Sequence, residues 1–371
     1  PGGGVVVVGQ IGASALYGSG QPTEVTMTGP GILCARYAPD GQLLWAARSV
    51  GGIAFSVVAH ANRTVSVVGF TGHNESTVLG PGEATETTIA GSGRTLFLAR
   101  YDAETGALLR ARQDGGTGNM LTPQAVGTPD DGVAVAGVFQ STAVFDEGGP
   151  REASVSAGAS FGAYIARYDA DDVFLWVRSP MADGARVHFE GLDVLPDGAL
   201  AVCGKMTSAD AVFGPGESNA TTLSTTEEVF TAAVFEANGN LRWARQSVAA
   251  PGAGARDARI TRLPAGRLAL TGTMREGQTF GAGEITERTI TPIGGSEAVL
   301  SVFEQASGSH VDTLAVTGPD SEWSESVAVF PDGAVLWLGQ YDELATFPFS
   351  FEPRDDEGVF LARVLLDDLL R

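Results

Sequence analysis

The chain has 371 residues and a formal net charge of −21, with 18% charged and 43% hydrophobic residues. A field of this sign repels phosphate backbones, so the composition argues against nucleic acid as a partner and favours a soluble protein. No apolar window is long enough for a membrane-spanning helix. The start at Pro1 lacks the charged segment of a signal peptide, so we expect numbering after processing or inside a longer protein.

A short strand ending in glycine opens the chain and then recurs. Its apolar run is nearly continuous, which is typical of a strand buried on both faces. The strand glycine allows a bulge or the close approach of a neighbouring backbone. The six copies span residues 5–9, 65–69, 133–137, 200–204, 268–272 and 335–339.

A hairpin motif follows each of these strands. Its first copy is Ala35-Arg36-Tyr37, which leads through an Asp-Gly turn to a strand containing Trp45. The central positions of the six copies are 36, 100, 167, 234, 302 and 363. A fixed interval of about 60 to 70 residues indicates a repeat architecture.

A further strand and a turn precede most copies of the glycine strand. The turn has the form Pro-Asp-Gly, in which proline sets φ and glycine takes a positive φ. The strands ahead of it are predicted at residues 56–60, 124–128, 191–195, 259–263 and 326–330. Each unit therefore has four strands, named A (before the turn), B (the glycine strand), C and D (the hairpin).

The longer segment between strands B and C has its own repeat, Gly80-Pro81-Gly82-Glu83 in the second unit. We expect it to form a small hairpin outside the main sheet.

These repeats predict an all-β fold, a six-bladed β-propeller of four-stranded antiparallel blades forming one domain over residues 1–371. A parallel β-helix has shorter repeats, and separate sandwiches need longer ones. The first unit shows no strand A, so seven blades are expected if the chain is truncated at its N-terminus. The predicted blades are approximately residues 1–50, 51–114, 115–180, 181–247, 248–317 and 318–371.

The C–D hairpin, the Pro-Asp-Gly turn and Val133-Ala134-Val135-Ala136-Gly137 together resemble the bacterial SBBP-type β-propeller repeat. They are also similar to the long-repeat propellers of myxobacterial secreted proteins and lipoproteins. The resemblance implies a propeller and a location outside the cytoplasm, with a lipid anchor upstream left open. It implies no catalytic residues. The fifth strand D, which has no tryptophan, and the short last one (364–371) depart from the pattern.

Cys34 and Cys203 each replace an apolar residue in a repeat strand, so we expect buried free thiols. Two cysteines without nearby histidines make neither a disulfide framework nor a zinc site. Calcium-loop motifs are also absent from the sequence, so the chain is expected to hold no metal and no cofactor.

The repeated tryptophans and arginines have structural and functional interpretations. Trp45, Trp176 and Trp243 are expected to pack between blades, although a sugar-stacking ring is the alternative. The arginines of strand C are expected to pair with turn aspartates such as Asp102 and Asp169, although they could line an anionic pocket. These arginines are Arg36, Arg100, Arg167 and Arg363.

Residues that break the repeat are the candidates for a functional site. Strand A should line a central channel, and its unusual members, including two residues just upstream, are His60, His188, Glu190, Asp193, Arg259 and Arg262. A histidine beside a carboxylate could act as a general base or metal ligand, and a salt-bridged channel lining is the alternative. Trp323, with Glu325, is expected in a D–A loop, where it could anchor a partner or fold onto the blade edge.

Common hydrolase and metalloprotease motifs are absent from the sequence, and no catalytic residues are assigned. The composition and repeats favour a non-catalytic binding or scaffold module outside the cytoplasm. Its partner would be a protein or glycan at the loop face or at the B–C hairpins. One alternative is an enzyme that acts on a polysaccharide or small ligand in the channel through His188, Glu190 and Asp193. Another is a structural subunit of a surface assembly. The sequence specifies neither the ligand nor the oligomeric state.

Overall fold

The computed structural model describes residues 3–116, 118–182, 186–207, 209–342, 345–347 and 357–365. Within these residues the chain is all-β, and one 3₁₀ turn at Pro264–Gly266 accompanies the strands. No helix in the described ranges could cross a membrane. Contacts within the chain divide it into two compact units, Pro1–Arg178 and Ser179–Arg371.

The first unit contains three main antiparallel sheets, β1-β4-β5, β6-β7-β10-β11 and β12-β13-β14-β15, called sheets 1, 2 and 3. Its strands are β1 (Val5–Ile11), β2 (Ser14–Tyr17), β3 (Val25–Thr28), β4 (Gly31–Tyr37), β5 (Leu43–Arg48), β6 (Ile53–Ala59), β7 (Thr64–Phe70), β8 (Thr77–Leu79), β9 (Thr87–Ile89), β10 (Leu96–Asp102), β11 (Leu108–Asp114), β12 (Asn119–Gly127), β13 (Val133–Phe145), β14 (Ala153–Tyr168) and β15 (Phe174–Arg178).

The second unit contains sheets 4, 5 and 6, which are β17-β18-β21-β22, β24-β25-β28-β29 and β30-β31-β32. Its strands are β16 (Met181–Ala182), β17 (Arg186–Val194), β18 (Leu200–Thr207), β19 (Ala209–Phe213), β20 (Thr221–Thr225), β21 (Val229–Phe235), β22 (Leu241–Gln246), β23 (Val248–Ala249), β24 (Gly254–Leu263), β25 (Arg267–Arg275), β26 (Gln278–Phe280), β27 (Arg288–Ile290), β28 (Glu297–Glu304), β29 (His310–Val316), β30 (Glu322–Val329), β31 (Val335–Asp342) and β32 (Glu357–Val364).

The predicted strand order A-B-C-D is present in sheets 2, 3, 4 and 5. Sheet 1 consists of strands B, C and D, as the sequence indicated, and sheet 6 of strands A, B and C. The predicted last strand D (364–371) lies almost entirely outside the described residues. The all-β prediction is therefore confirmed, while the blade count and the single domain stay predictions.

The hydrophobic core lies between neighbouring sheets of each unit. In β7, Val67 packs with Cys34 of sheet 1, whereas Val68 packs with Val135 of sheet 3. Successive residues of one strand thus enter different core clusters, which explains why the apolar run of strand B is nearly continuous. Both cysteines are buried free thiols, and burial raises the pKa of Cys34 to about 12.

The B–C segments form hairpins outside the main sheets, as predicted: β2-β3, β8-β9, β19-β20 and β26-β27. In sheet 3 the hairpin is instead continuous with the long strands β13 and β14. The Gly-Pro-Gly-Glu sequence ties the hairpins β8-β9 and β19-β20 each to a strand D. Glu83 Oε2 accepts from Leu108 N at 2.7 Å, and Glu217 Oε2 accepts from Leu241 N at 2.7 Å.

Two of the repeated tryptophans connect neighbouring sheets. Trp45 Nε1 donates to Ala103 O at 2.8 Å, and Trp243 Nε1 donates to Gln305 O at 2.9 Å. Each acceptor lies in the C–D turn of the next sheet, so packing between sheets is confirmed for both side chains. For Trp176, the guanidinium of Arg178 lies 5.5 Å from the ring centroid.

Every described strand A carries a β-bulge opposite the glycine of strand B, for example between Phe189 and Gly191 in β17. The bulge brings the strand A backbone against that glycine. A Cβ on Gly204 would overlap with the His188 carbonyl oxygen. The repeated glycine is thus required by the close approach of the bulged strand.

Candidate functional site

The structure brings several predicted residues together on strands β17 and β24, the A strands of sheets 4 and 5. The two strands pack against each other within the second unit. His188, Glu190 and Asp193 lie on β17, whereas Arg259 and Arg262 lie on β24. Five of the candidate residues therefore lie on two adjacent strands.

Glu190 is the residue bulged out of β17, and its carboxylate binds the neighbouring strand. Glu190 Oε2 accepts from Ala258 N at 3.0 Å, and Arg259 Nη1 donates to Glu190 O at 3.3 Å. Burial raises the pKa of the Glu190 carboxyl. The bulge also interrupts the two-residue alternation that would place His188 and Glu190 on the same face of a regular strand.

Asp193 bonds to β24 in the same manner. Its Oδ2 accepts from Arg262 N at 2.7 Å and from Thr261 Oγ1 at 3.3 Å. Arg262 Nη1 in turn donates to Val194 O at 3.2 Å. The carboxylates and guanidinium groups of this cluster therefore connect two adjacent A strands through backbone groups, and among the described residues they do not form the salt bridges that the channel-lining alternative expected.

Lys205 is the member of this region that the sequence analysis missed. It pairs with His188 in the register of β17 and β18, and its Nζ lies 3.4 Å from Glu228 Oε1. Burial, followed by the Lys205 charge, lowers the pKa of His188 to about 4, so His188 is neutral at pH 7. The signal was available, because Lys205 is the only lysine in the chain. It was missed because it belongs to no motif.

His60 lies apart from this cluster, in the A–B turn of sheet 2 in the first unit. It is buried, and its Nε2 lies 2.9 Å from Ser66 Oγ. Burial, together with the Arg100 charge, lowers the pKa of His60 to about 4. His60 lines a cavity of about 280 Å³ together with Arg36 and Arg63.

The expectation that Trp323 lies in a loop is wrong. Trp323 is the second residue of β30, it is half-buried, and it pairs with Gln340 of β31. Glu325 is the exposed bulge residue of the same strand, and its Oε1 accepts from Gln340 Nε2 at 2.9 Å. The loop prediction failed because β30 begins at Glu322, earlier than the predicted strand at residues 326–330.

Three of the four strand C arginines pair with turn aspartates, but not with those named from the sequence; the fourth, Arg36, donates to Ala103 O at 2.5 Å. Arg167 pairs with Asp130 at 2.5 Å, Arg363 pairs with Asp332, and Arg100 binds Asp172. The expected partners, Asp102 and Asp169, instead accept hydrogen bonds from backbone amides of their own turns. The sequence could not distinguish these cases, because both kinds of aspartate lie in turns.

A second pair of carboxyl groups, Glu297 and Glu322, also escaped the sequence analysis. Both side chains are fully buried, at the starts of β28 and β30. Glu297 Oε1 accepts from Ile293 N at 2.8 Å, whereas neither oxygen of Glu322 has a donor among the described residues. Burial and the Glu297 charge raise the pKa of Glu322 to about 8, so Glu322 is mostly protonated at pH 7.

Across the described ranges, no group of three or more histidine, cysteine, aspartate or glutamate side chains is arranged to hold a metal ion. No known protein family matches the chain, and no curated protein is significantly similar to it.

Several solved structures can be superposed on most of this chain, with low TM-scores. A protein of unknown function from Dyadobacter fermentans is 12% identical, with a TM-score of 0.41 over 85% of this chain and 79% of that one. BamB from Moraxella catarrhalis is 12% identical, with a TM-score of 0.32 over 89% and 96% of the two chains. Quinohemoprotein alcohol dehydrogenase from Comamonas testosteroni is 11% identical, with a TM-score of 0.39 over 92% and 67%. Similarity at this level assigns neither a family nor an activity.

Proposed function

We propose that this chain is a non-catalytic scaffold of propeller blades that binds a partner protein outside the cytoplasm. The proposal rests on the hydrogen bonds that the side chains of the candidate site make with backbone groups. The carboxylates of Glu190 and Asp193 accept hydrogen bonds from backbone amides of β24. Arg259 and Arg262 donate to the backbone carbonyls of Glu190 and Val194. Groups engaged in holding two strands together are poorly placed to act on a substrate.

The propeller assignment is supported by the repeated arrangement of sheets within each unit. The A strands of consecutive sheets pack against each other: β6 with β12 in the first unit, and β17 with β24 and β24 with β30 in the second. Blades of a propeller meet along their innermost strands in this way. The SBBP-type resemblance supports the same fold and the location outside the cytoplasm. Small-angle scattering and electron microscopy test the fold, since an extended particle would contradict a ring of blades.

A groove on the outer side of the sheets supports binding, because it occurs at the same repeat positions in both units. In the first unit it has a volume of about 490 Å³ and lies between the end of β5 and the turn at Gly106. In the second it has a volume of about 220 Å³ and lies between β22 and the turn at Gly308. Two grooves at equivalent repeat positions offer a partner two contacts of the same kind, which increases avidity.

A protein partner is favoured over a glycan by the placement of the tryptophans. Trp45, Trp243 and Trp337 are buried, and Trp176 and Trp323 are half-buried. None of the five is fully exposed as a flat stacking surface for a sugar ring.

Filling both grooves tests the proposal. Ala107 and Ala282 are exposed groove residues, so the double variant Ala107→Trp, Ala282→Trp should block the grooves without disturbing the core. Partners are identified by cross-linking in extracts of the native bacterium, and affinity for the purified partner is measured by calorimetry. We expect the double variant to weaken binding at least about tenfold. Ala237→Trp, at an exposed turn outside the grooves, should bind normally.

The enzyme alternative makes a different prediction for the same protein. If His188, Glu190 and Asp193 were catalytic, His188→Ala would abolish a measurable activity while the fold stayed intact. Turnover of a polysaccharide or small ligand that depends on His188 would overturn the non-catalytic proposal. Unchanged partner binding in the groove-filled variant would overturn the proposal that the grooves bind the partner.

A further inference from the structure

A carboxyl group occupies a core position of strand C in sheet 5. The strand B residue two positions beyond the repeat glycine pairs with Gly162 in sheet 3 and with Val229 in sheet 4, but with Glu297 in sheet 5. Glu297 is completely buried. Packing of the sheets does not require an acidic residue at this position, because a small or apolar residue fills it in the other two sheets.

Glu322 is a second departure from the repeat, at the start of strand A in sheet 6. It too lies opposite the strand B residue two positions beyond the repeat glycine. In sheets 3, 4 and 5 the same place is taken by buried apolar residues, Met120, Val187 and Ala255. Glu322 is completely buried, and its backbone N donates to Ser296 O, beside Glu297, at 2.8 Å. The two departures therefore lie together within the second unit.

The pair contains three carboxylate oxygens that no described group satisfies. Glu297 Oε2 and both oxygens of Glu322 are buried and accept no hydrogen bond, whereas Glu297 Oε1 accepts from Ile293 N. Among the described residues, no basic side chain forms an ion pair with either carboxylate. The charges of Asp320 and Asp342 add to the raised pKa of Glu322. Buried carboxylates without a counter-charge are unfavourable, so this place favours a cation.

The chemistry of the two adjoining loops, residues 293–296 and 317–321, indicates which cation. Neither loop contains histidine or cysteine, the ligands that zinc and other transition metals prefer. Gly318 packs against the carboxylate, since a Cβ there would overlap with Glu322 Oε1. The carbonyl oxygens of Pro319 and Asp320 lie against Gly294 of the other loop. Carboxylate and backbone carbonyl oxygens are the usual ligands of calcium.

We propose that Glu297 and Glu322 bind a calcium ion between the starts of β28 and β30. The described ranges arrange no third acidic side chain as a ligand, so backbone carbonyls of the two loops and water complete the coordination. The ion provides the missing counter-charge and joins sheets 5 and 6. At pH 7 it displaces the Glu322 proton into solvent, as metals do from the ligands they bind. This inference does not depend on the proposed binding of a partner.

Calcium binding is measured by calorimetry on the 371-residue chain after treatment with EGTA. With two acidic ligands, we expect one site per chain with a Kd of about 10⁻⁴ to 10⁻³ M, the range of extracellular calcium modules. The Tm should rise as calcium is added and should fall back when EGTA is restored, because only the folded chain brings the two carboxylates together. The pH dependence of stability belongs to the calcium-free protein and is measured with EGTA present.

Glu297→Gln and Glu322→Gln should each weaken calcium binding at least about tenfold, because each removes a charged ligand and keeps the shape of the side chain. Glu325→Gln is the matched control, since this carboxylate is exposed on the same strand as Glu322, and it should bind calcium like the wild type. Circular dichroism confirms that the three variants fold.

Terbium provides a second measurement at the site itself. It takes the place of calcium and luminesces when a nearby tryptophan or tyrosine is excited. Trp323 follows Glu322 in the chain, and Tyr341 pairs with Glu322 in the register of β30 and β31. We expect luminescence in the wild type and in Glu325→Gln, its loss in Glu322→Gln, and quenching by excess calcium.

A wild type without calcium-dependent heat and without a rise in Tm would overturn the inference. Equal binding by Glu322→Gln would also overturn it, because the ion would then lie on surface carboxylates. A wild type whose stability responds to pH but not to calcium would overturn it in favour of a proton between the two carboxyl groups. The groove-filled variant should bind calcium normally, so this experiment fails or succeeds independently of the proposed function.

Discussion

Arg100 shows how this fold accommodates a buried charge. Its side chain is fully buried, and its Nε donates to both oxygens of Asp172, at 3.0 and 3.1 Å. Arg110 Nε binds the same aspartate at 2.6 Å. A buried ion pair contributes little by itself, but removal of one partner leaves an uncompensated charge in the core.

Asp172→Asn should therefore destabilise the protein by about 3 kcal/mol or more. Asparagine keeps the shape and tolerates the positive φ of this position, so the change isolates the charge. Asp332→Asn is the matched control, because its partner Arg363 and Asp332 itself are about half exposed and screened by solvent, so it should destabilise the protein much less than Asp172→Asn does. Urea denaturation measures both, and equal effects would contradict the argument.

The Glu297–Glu322 pair should make stability depend on pH. Because the pKa of Glu322 is raised to about 8 in the folded protein, the folded state binds a proton that the unfolded state releases. The stabilising contribution of this proton is complete below the ordinary glutamate pKa and is lost as pH rises to about 8. The slope of this loss is about 1.4 kcal/mol per pH unit.

Glu322→Gln removes this titration, so its stability should stay flatter from pH 5 to 8 than that of the wild type. Thermal unfolding at a series of pH values measures the difference. Glu325→Gln, on the exposed face of the same strand, should retain the wild-type pH profile. Parallel profiles for the wild type and Glu322→Gln would exclude a raised pKa for this carboxyl.

At the scale of elements, the bulge of strand A and the glycine of strand B depend on each other, because the bulged backbone packs directly against the glycine. The glycine was visible in every repeat, and its role in close backbone approach was predicted. The bulge itself was not visible, because nothing in residues 186–191 marks where one residue leaves the ladder. Its position depends on pairing with β18 and on the bonds of Glu190 to β24. For the same reason the start of β30 was predicted too late in the chain, so Trp323 was expected in a loop although it lies in the strand.

Gly204→Ala should destabilise the protein by about 1–3 kcal/mol, because the added methyl group overlaps with the His188 carbonyl oxygen. Gly9→Ala at the equivalent position of β1 should leave stability nearly unchanged, since no atom lies within 4 Å of its Cβ. Chemical denaturation of the two variants tests this contrast. A similar loss at both positions would mean that glycine is needed there for another reason.

At the scale of the molecule, the acidic charge defines which partners can approach. A net charge of −21 over 371 residues creates a repulsive field for polyanions. We therefore expect no binding of duplex DNA at physiological salt, and an electrophoretic mobility assay measures this. A salt-sensitive complex would contradict the expectation and would indicate a local cluster of arginines strong enough to overcome the net charge.

The sequence by itself determined the strand order, the burial of strand B on both faces, the outer hairpins and the buried cysteines. These features follow from residue type, local turn chemistry and a repeat interval, all of which are local along the chain. Only the tertiary structure decided which aspartates Arg100, Arg167 and Arg363 bind, and where Lys205 and the Glu297–Glu322 pair lie. These depend on strands that are distant in sequence, because packing rather than residue identity determines which side chains meet.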